Sequence, residues 1–180
     1  MRYNICSRVW DEDGRPISHT AIAQGQYSIS DDPDAVITTV LGSCVAACIR
    51  DPRRGVGGMN HFVLPESPSP LSEQFDPSRY GDCLMPQLID ALLANGAKLH
   101  RLEAVVFGGA SPSESFYNVG RRNLAFALNF LAARRIAIID SPGVAPLGCR
   151  LEYWPVSGKV VQTPLGDAKT RGRRASGGGA

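Results

Sequence analysis

From Ala35 to Leu64 the chain reads AVITTVLGSCVAACIRDPRRGVGGMNHFVL, and this stretch restricts the available folds more than any other. Ala35 to Leu41 is apolar and β-branched, the composition of a buried strand. Gly42-Ser43 interrupts it. Val45 to Arg50 reads as a second strand, with Cys44, Ala46 and Cys48 on one face. A short helix capped by Ser43, with Cys44 in its first turn, is the alternative. Asp51-Pro52 and Gly55 to Gly58 mark a turn, and Met59 to Leu64 reads as a third strand.

The same stretch carries the chemistry. Cys44 is set off by glycine and serine, and His61 stands early in the next apolar segment. A free thiol is mostly protonated at neutral pH, so a hydrolytic cysteine needs a base, and an imidazole can take its proton or stabilise a thiolate. The imidazole must in turn be oriented by a third group, for which a threonine hydroxyl serves. Thr38 and Thr39 are the nearest hydroxyls upstream of Ser43. Six residues of straight strand span about 20 Å, so the chain must bend between Thr38 and Cys44, and Gly42 permits that bend. Backbone N–H groups near Ser43 and Cys44 are candidate oxyanion donors. Against this stands the plain reading of a cysteine in an apolar run as a small core residue. Cys48, Cys83 and Cys149 read as structural. A zinc site from Cys44, Cys48 and His61 lacks a paired CxxC spacing and a fourth ligand. His19 and His100 lie among polar residues and read as solvated.

Outside this stretch, residues 1–20 read as an N-terminal extension or loose edge. Ala21 to Ile29 reads as a strand, and Asp31 to Asp34 as an Asx and proline turn. Pro65 to Arg79 is Pro- and Ser-rich, a surface loop and candidate lid. A helix opening at Asp82 carries Leu84, Leu88 and Leu92 on one face, widened by Met85, Ile89 and Leu93, with Gly96 at its C′ position. Leu102 to Phe107 is a short buried strand ending in Gly108-Gly109, which reads as close backbone packing. A second helix spans Gly120 to Arg135 and a further strand Ile136 to Ile139. Arg150 to Trp154 and Lys159 to Thr163 form a hairpin around Ser157-Gly158. The order predicts an α+β or mixed α/β layered fold, with helices packed on a mixed sheet.

At 180 residues, with 43% hydrophobic and 20% charged side chains, one domain over 21–166 is expected. Residues 167–180 are basic, Gly-rich and expected to be disordered. Net charge is +2, and the tail's four cations account for it, so the folded part is not a general polyanion binder and no nucleic-acid partner is expected. Five cysteines without a CxxC pair, no apolar leader and no membrane-length run predict a cytoplasmic chain with reduced thiols and no membrane insertion.

Several motifs together resemble a known family. These are Gly25-Gln26-Tyr27-Ser28, Asp32-Pro33-Asp34, TTVLGSCVAACIRDP, GVGGMNHFVLP, Arg79-Tyr80-Gly81-Asp82, Phe107-Gly108-Gly109-Ala110 and Gly120-Arg121-Arg122-Asn123. They are similar to those of the chemoreceptor glutamine deamidases, the CheD family, over roughly residues 21–166. The family's late Gly-Arg run is broken here by Pro142 and Cys149. The resemblance implies a layered α/β sandwich related to deamidating bacterial cytotoxins. It implies hydrolysis of glutamine side chains on methyl-accepting chemotaxis receptors, with no cofactor or metal. It implies Cys44 as nucleophile, His61 as base and Thr38, six residues before the cysteine, as orienting group, with Thr39 as the substitute. It also implies the receptors' cytoplasmic region as partner and, in some members, a CheC-type phosphatase, so that a docking role without catalysis is the alternative function.

Overall fold

The computed structural model describes residues 5–10, 16–68, 76–109, 117–143 and 148–165. These form ten strands and two α-helices: β1 (Ile5–Trp10), β2 (Pro16–Ala21), β3 (Gln26–Ser30), β4 (Ala35–Leu41), β5 (Val45–Asp51), β6 (Val56–His61), α1 (Gly81–Ala94), β7 (Glu103–Gly108), α2 (Tyr117–Ala133), β8 (Ala137–Gly143), β9 (Cys149–Tyr153) and β10 (Val160–Pro164). They build two five-stranded sheets, ordered β1-β2-β4-β9-β10 and β3-β6-β5-β7-β8. Both sheets are mixed: β2–β4 and β7–β8 pair in parallel, the other neighbours antiparallel. The expected mixed α+β layering is present, with two sheets where the sequence reading placed one.

The near-continuous apolar character of β5 follows from its position between β6 and β7, covered on both faces. Val45, Ala47 and Ile49 face one core with α1 and α2. Cys44, Ala46 and Cys48 face the other core, shared with Ile37, Leu41, Leu151 and Tyr153 of the first sheet. The molecule is thus sheet, sheet and helices in three layers. The strand reading of Val45 to Arg50 holds, and the capped helix does not form.

α1 buries Leu84, Met85, Leu88, Ile89 and Leu92 at 3% exposure or less, while Leu93, expected to widen that stripe, is 36% exposed. Gly96 closes the helix at φ +91, a conformation that disfavours a side chain. Along α2 the buried stripe is Asn123, Ala127 and Leu131.

Three expectations need correction. Within residues 1–20, read as an extension, β1 pairs antiparallel with β2, and β2 pairs with β4 from Ser18↔Ala35 to Ala21↔Thr38. The single strand expected over Ala21 to Ile29 is two strands separated by a turn. There Gly25 takes φ 76, and Gln26 Oε1 accepts from the Ala23 N–H at 2.8 Å. Gly57 and Gly58 lie within β6, not in a turn. A Cβ on Gly57 would stand 2.4 Å from the Pro155 carbonyl oxygen, and one on Gly58 2.6 Å from that of Ser28, so these glycines serve close packing inside the sheet. The tail expected to be disordered and the centre of the candidate lid, residues 69–75, lie outside the described residues.

Candidate active site

The site forms where β4, β5 and β6 converge. The antiparallel β5–β6 pairing runs from Asp51↔Val56 to Cys48↔Met59 and ends in a bridge between Val45 and Phe62. This register sets His61 opposite Ala46 and makes Cys44 its diagonal neighbour on the same face, the face turned toward the first sheet. Diagonal cross-strand neighbours lie about 7–8 Å apart at the backbone, within reach of long side chains. Cys44 and His61 are both buried, at 5% and 2% exposure.

The backbone around Cys44 is held on three sides. Val45 N–H donates to the Phe62 carbonyl at 3.1 Å, and Gly109 N–H to the Cys44 carbonyl at 3.0 Å. A Cβ on Gly108, at φ +130, would come within 2.3 Å of the Cys44 oxygen, so only glycine lets β7 approach here. Asn123, fully buried on α2, donates from Nδ2 to the carbonyls of Ser43 at 3.1 Å and Val63 at 2.8 Å. One helix side chain therefore ties the residue before the cysteine to the strand that carries the histidine. Gly42 lies in the expected bend, yet a Cβ there would meet nothing within 4 Å. The bend does not require glycine for want of space.

β6 is fixed by Asn60, whose Oδ1 accepts from Ala47 N–H at 2.9 Å and whose Nδ2 reaches Met85 Sδ at 3.2 Å. The neighbouring His61 directs its Nδ1 to Thr39 Oγ1 at 2.8 Å. Thr39 Oγ1 donates to the Ile22 carbonyl at 2.9 Å. A hydroxyl has one proton, and the carbonyl can only accept. The Thr39 oxygen therefore accepts from His61 Nδ1–H, and the neutral imidazole carries its lone pair on Nε2. Nε2 is buried and has no hydrogen-bond partner among the described residues.

The acceptor for the imidazole Nδ1–H is thus Thr39 and not Thr38, the residue that the family resemblance implied. Strand alternation is the reason. Thr39 lies between Ile37 and Leu41, which face the inter-sheet core; Thr38 points the other way, with the 51%-exposed Val40. Both threonines border a cleft of about 490 Å³ that Ile22, Gln24, His61 and Arg150 also line. His19, expected to be solvated, is on its wall as well.

Burial raises the Cys44 thiol above its ordinary value; its own backbone N–H, the Arg79 charge and the Gln24 amide oppose this. Burial depresses His61 to about 4. At neutral pH the resting pair is therefore thiol and neutral imidazole, not thiolate and imidazolium. Arg79 belongs to a 3-10 turn, Pro77–Arg79, whose last carbonyl accepts from Val63 and Leu64 N–H. Cys48 is buried, its thiol pushed up by desolvation, and Cys44, Cys48, Cys83 and Cys149 are all free.

Sequence reasoning missed Gln24, Asn123 and Arg79. Asn123 carried a signal: it is the one polar residue on the stripe Asn123, Ala127, Leu131, and a polar side chain there must find buried partners. Gln24 carried none, because its contact depends on where a turn places it.

Comparison with known proteins gives a consistent picture. A family model described as CheD chemotactic sensory transduction matches residues 63–163. A protein of Rhizobium johnstonii named "Probable chemoreceptor glutamine deamidase CheD" is 51% identical over 150 residues, covering 83% of this chain and 82% of its own length. One of the same name from a Caulobacter species is 46% identical over 151 residues, covering 84% and 80%. Among solved structures, a Neisseria meningitidis protein aligns at TM-score 0.44 and 8% identity, over 67% of this chain and 54% of its own.

Proposed function

We propose that this chain, which belongs to the CheD family, hydrolyses glutamine side chains of chemotaxis receptors to glutamate, as the names of its relatives state for them. Cys44 is the nucleophile, His61 the base and Thr39 the group that orients it. The observation that carries this assignment is the chain of hydrogen bonds from His61 Nδ1 through Thr39 Oγ1 to the Ile22 carbonyl. It leaves an unprotonated Nε2, without a partner among the described residues, on the face that holds Cys44.

The reaction follows from that arrangement. As Cys44 Sγ attacks the δ-carbon of the glutamine side chain, its proton passes to His61 Nε2, the S–C bond forms and the carbonyl electron pair moves onto oxygen. Collapse of the oxyanion breaks the C–N bond, and the imidazolium returns the proton to the departing nitrogen, so ammonia leaves. Water then gives a proton to Nε2 and attacks the thioester. Collapse breaks the C–S bond, glutamate departs, and the proton returns to sulfur. Because the resting thiol is protonated, His61 acts as a general base during attack. Its depressed pKa makes the imidazolium a strong acid toward a poor leaving group. The same route accommodates a glutamyl methyl ester, since only the leaving group changes.

The receptor's cytoplasmic region is the expected partner and the cytoplasm the expected location; no described helix is long and apolar enough to cross a membrane. A CheC-type phosphatase is a second expected partner.

The test is peptide mass spectrometry of a receptor cytoplasmic fragment from the same organism after incubation with the wild-type chain or Cys44→Ala. Conversion of glutamine to glutamate at defined sites by the wild type alone is the predicted result. Conversion by neither would replace catalysis by the docking role, and conversion by both would remove Cys44 from the mechanism.

A further inference from the structure

The attack on a carboxamide places negative charge on an oxygen two bonds from Cys44 Sγ, and the backbone offers little to receive it. The Val45 N–H is spent on the Phe62 carbonyl, and the Gly109 N–H on that of Cys44 itself. The backbone group identified at the sulfur is Cys44's own N–H. A second donor stands beside it: Gln24 Nε2 lies 3.6 Å from Cys44 Sγ. Gln24 also lines the cleft bordered by His61 and Thr39, so it links the Cys44 thiol to the open space beside the imidazole.

The turn that carries Gln24 is fixed against the base. Gly25 N–H donates to the His61 carbonyl at 2.7 Å, and Gln26 N–H to the Ala23 carbonyl at 3.1 Å. Gln26 Oε1 accepts from Ala23 N–H at 2.8 Å. The Gln24 backbone is thereby referenced to the residue that moves the proton. A pre-placed N–H donor near where charge develops is the arrangement that lowers a barrier without reorganisation.

We propose that Gln24 is a further catalytic residue: its side-chain N–H₂ donates to the oxyanion of each tetrahedral intermediate, completing with the Cys44 N–H a two-donor oxyanion hole. This rests on Cys44 being the nucleophile of the deamidation described above. The donor sits beside sulfur in the resting enzyme and shifts onto the oxygen once the S–C bond has formed.

The experiment compares wild type, Gln24→Leu and Gln24→Glu in steady-state deamidation of the receptor fragment, and in alkylation of Cys44 by iodoacetamide. Alkylation is a displacement at a saturated carbon and forms no oxyanion. Loss of one oxyanion donor lowers kcat by roughly 10²–10³-fold where the site is closed; at this cleft wall a fall of at least about tenfold in kcat is expected. KM should stay near wild type, and the alkylation rate of Gln24→Leu should fall far less than kcat, because the lost contact to Sγ only lets the thiol pKa rise further. Gln24→Glu, which replaces the donor with a negative charge, should be at least as slow as Gln24→Leu. Unchanged kcat in Gln24→Leu overturns the proposal. So does a parallel fall in alkylation, which would place the effect on the thiol. A rise in kcat/KM also overturns it, by making Gln24 a plug over the nucleophile. Wild type that converts no glutamine but is alkylated at Cys44 would instead fail the deamidase reading itself.

Discussion

His61 carries the argument at the residue scale, because its two nitrogens face different surroundings. Nδ1 is bound to Thr39 Oγ1 at 2.8 Å and Nε2 to nothing among the described residues. Thr39→Val keeps the shape and removes the hydroxyl, so the ring loses its orientation and Nδ1–H its acceptor. We predict a fall of about 10²-fold in kcat, with Thr38→Val changing it by less than about threefold in the same assay. The pair of variants reads out which threonine orients the base. The depressed His61 pKa sets a second expectation. As the proposed base His61 works only when neutral, so kcat/KM should stay level from neutral pH down through 6.5 and fall only as pH approaches about 4. Stability responds with the same sign. The unfolded histidine takes up its proton near pH 6.5 and the folded one near 4, so between those values acid favours unfolding. Stability is full above pH 6.5 and declines below it, by about 3 kcal/mol at most. Thermal melts at pH 7 and pH 5 of wild type and His61→Phe measure this difference. In the sequence Cys44 and His61 stood out only as candidates, a cysteine set off by Gly42-Ser43 and a lone histidine on a neighbouring apolar segment, with the plain core reading open; the resemblance of LGSC and MNHF to the family is what singled them out. The choice between Thr38 and Thr39 was not legible in the sequence. The run Val36 to Leu41 is apolar or β-branched at every position, so no alternation marks which face is inside, and the parity was set by the pairing with β9.

The site belongs to no single element. The register of β5 and β6 brings Cys44, just before β5, beside His61 at the end of β6, β4 supplies the Thr39 hydroxyl from the opposing sheet, and β7 and α2 hold the backbone around Cys44. Gly108 shows this dependence most sharply. Its φ of +130 and the 2.3 Å approach of a built Cβ to the Cys44 oxygen leave no room for alanine without moving β5 or β7. Gly108→Ala should cost roughly 1–3 kcal/mol from the backbone conformation alone, measured by denaturant unfolding. It should lower activity beyond the loss of folded protein, because the displaced atoms belong to Cys44, the proposed nucleophile. Equal stability and activity to wild type would contradict this picture of the β5–β7 contact. The sequence announced Gly108-Gly109 as a close-packing pair. It did not announce Gly57 and Gly58 in the same way: followed by an apolar strand, they look like turn residues, and only the approach of β3, Pro155 and α1 shows why a strand needs them. The pairing of β1 with β2 was missed for a related reason. Charge, Pro and Gly between them hid the edge strand β1 and its neighbour β2, of which β2 pairs with β4.

At the scale of the whole molecule, the three layers divide the work. The helix-side core fixes the position of β5 and β6, and the inter-sheet core leaves one polar pair, Thr39 and His61, on its margin beside a cleft of about 490 Å³. Layering of this kind could be anticipated from the order of apolar blocks, since strands and helices must each bury a face. The division into two sheets could not, because it depends on long-range pairings such as β4 with β9. The most direct measurement of the central claim is an acid-quenched reaction of the chain with a glutamine-bearing receptor peptide, digested and analysed for a covalent acyl adduct. The account predicts the peptide acyl group on Cys44, with ammonia released in step with its formation and no adduct in Cys44→Ala. An adduct on Cys83 or Cys149, or turnover by Cys44→Ala at the wild-type rate, would contradict it.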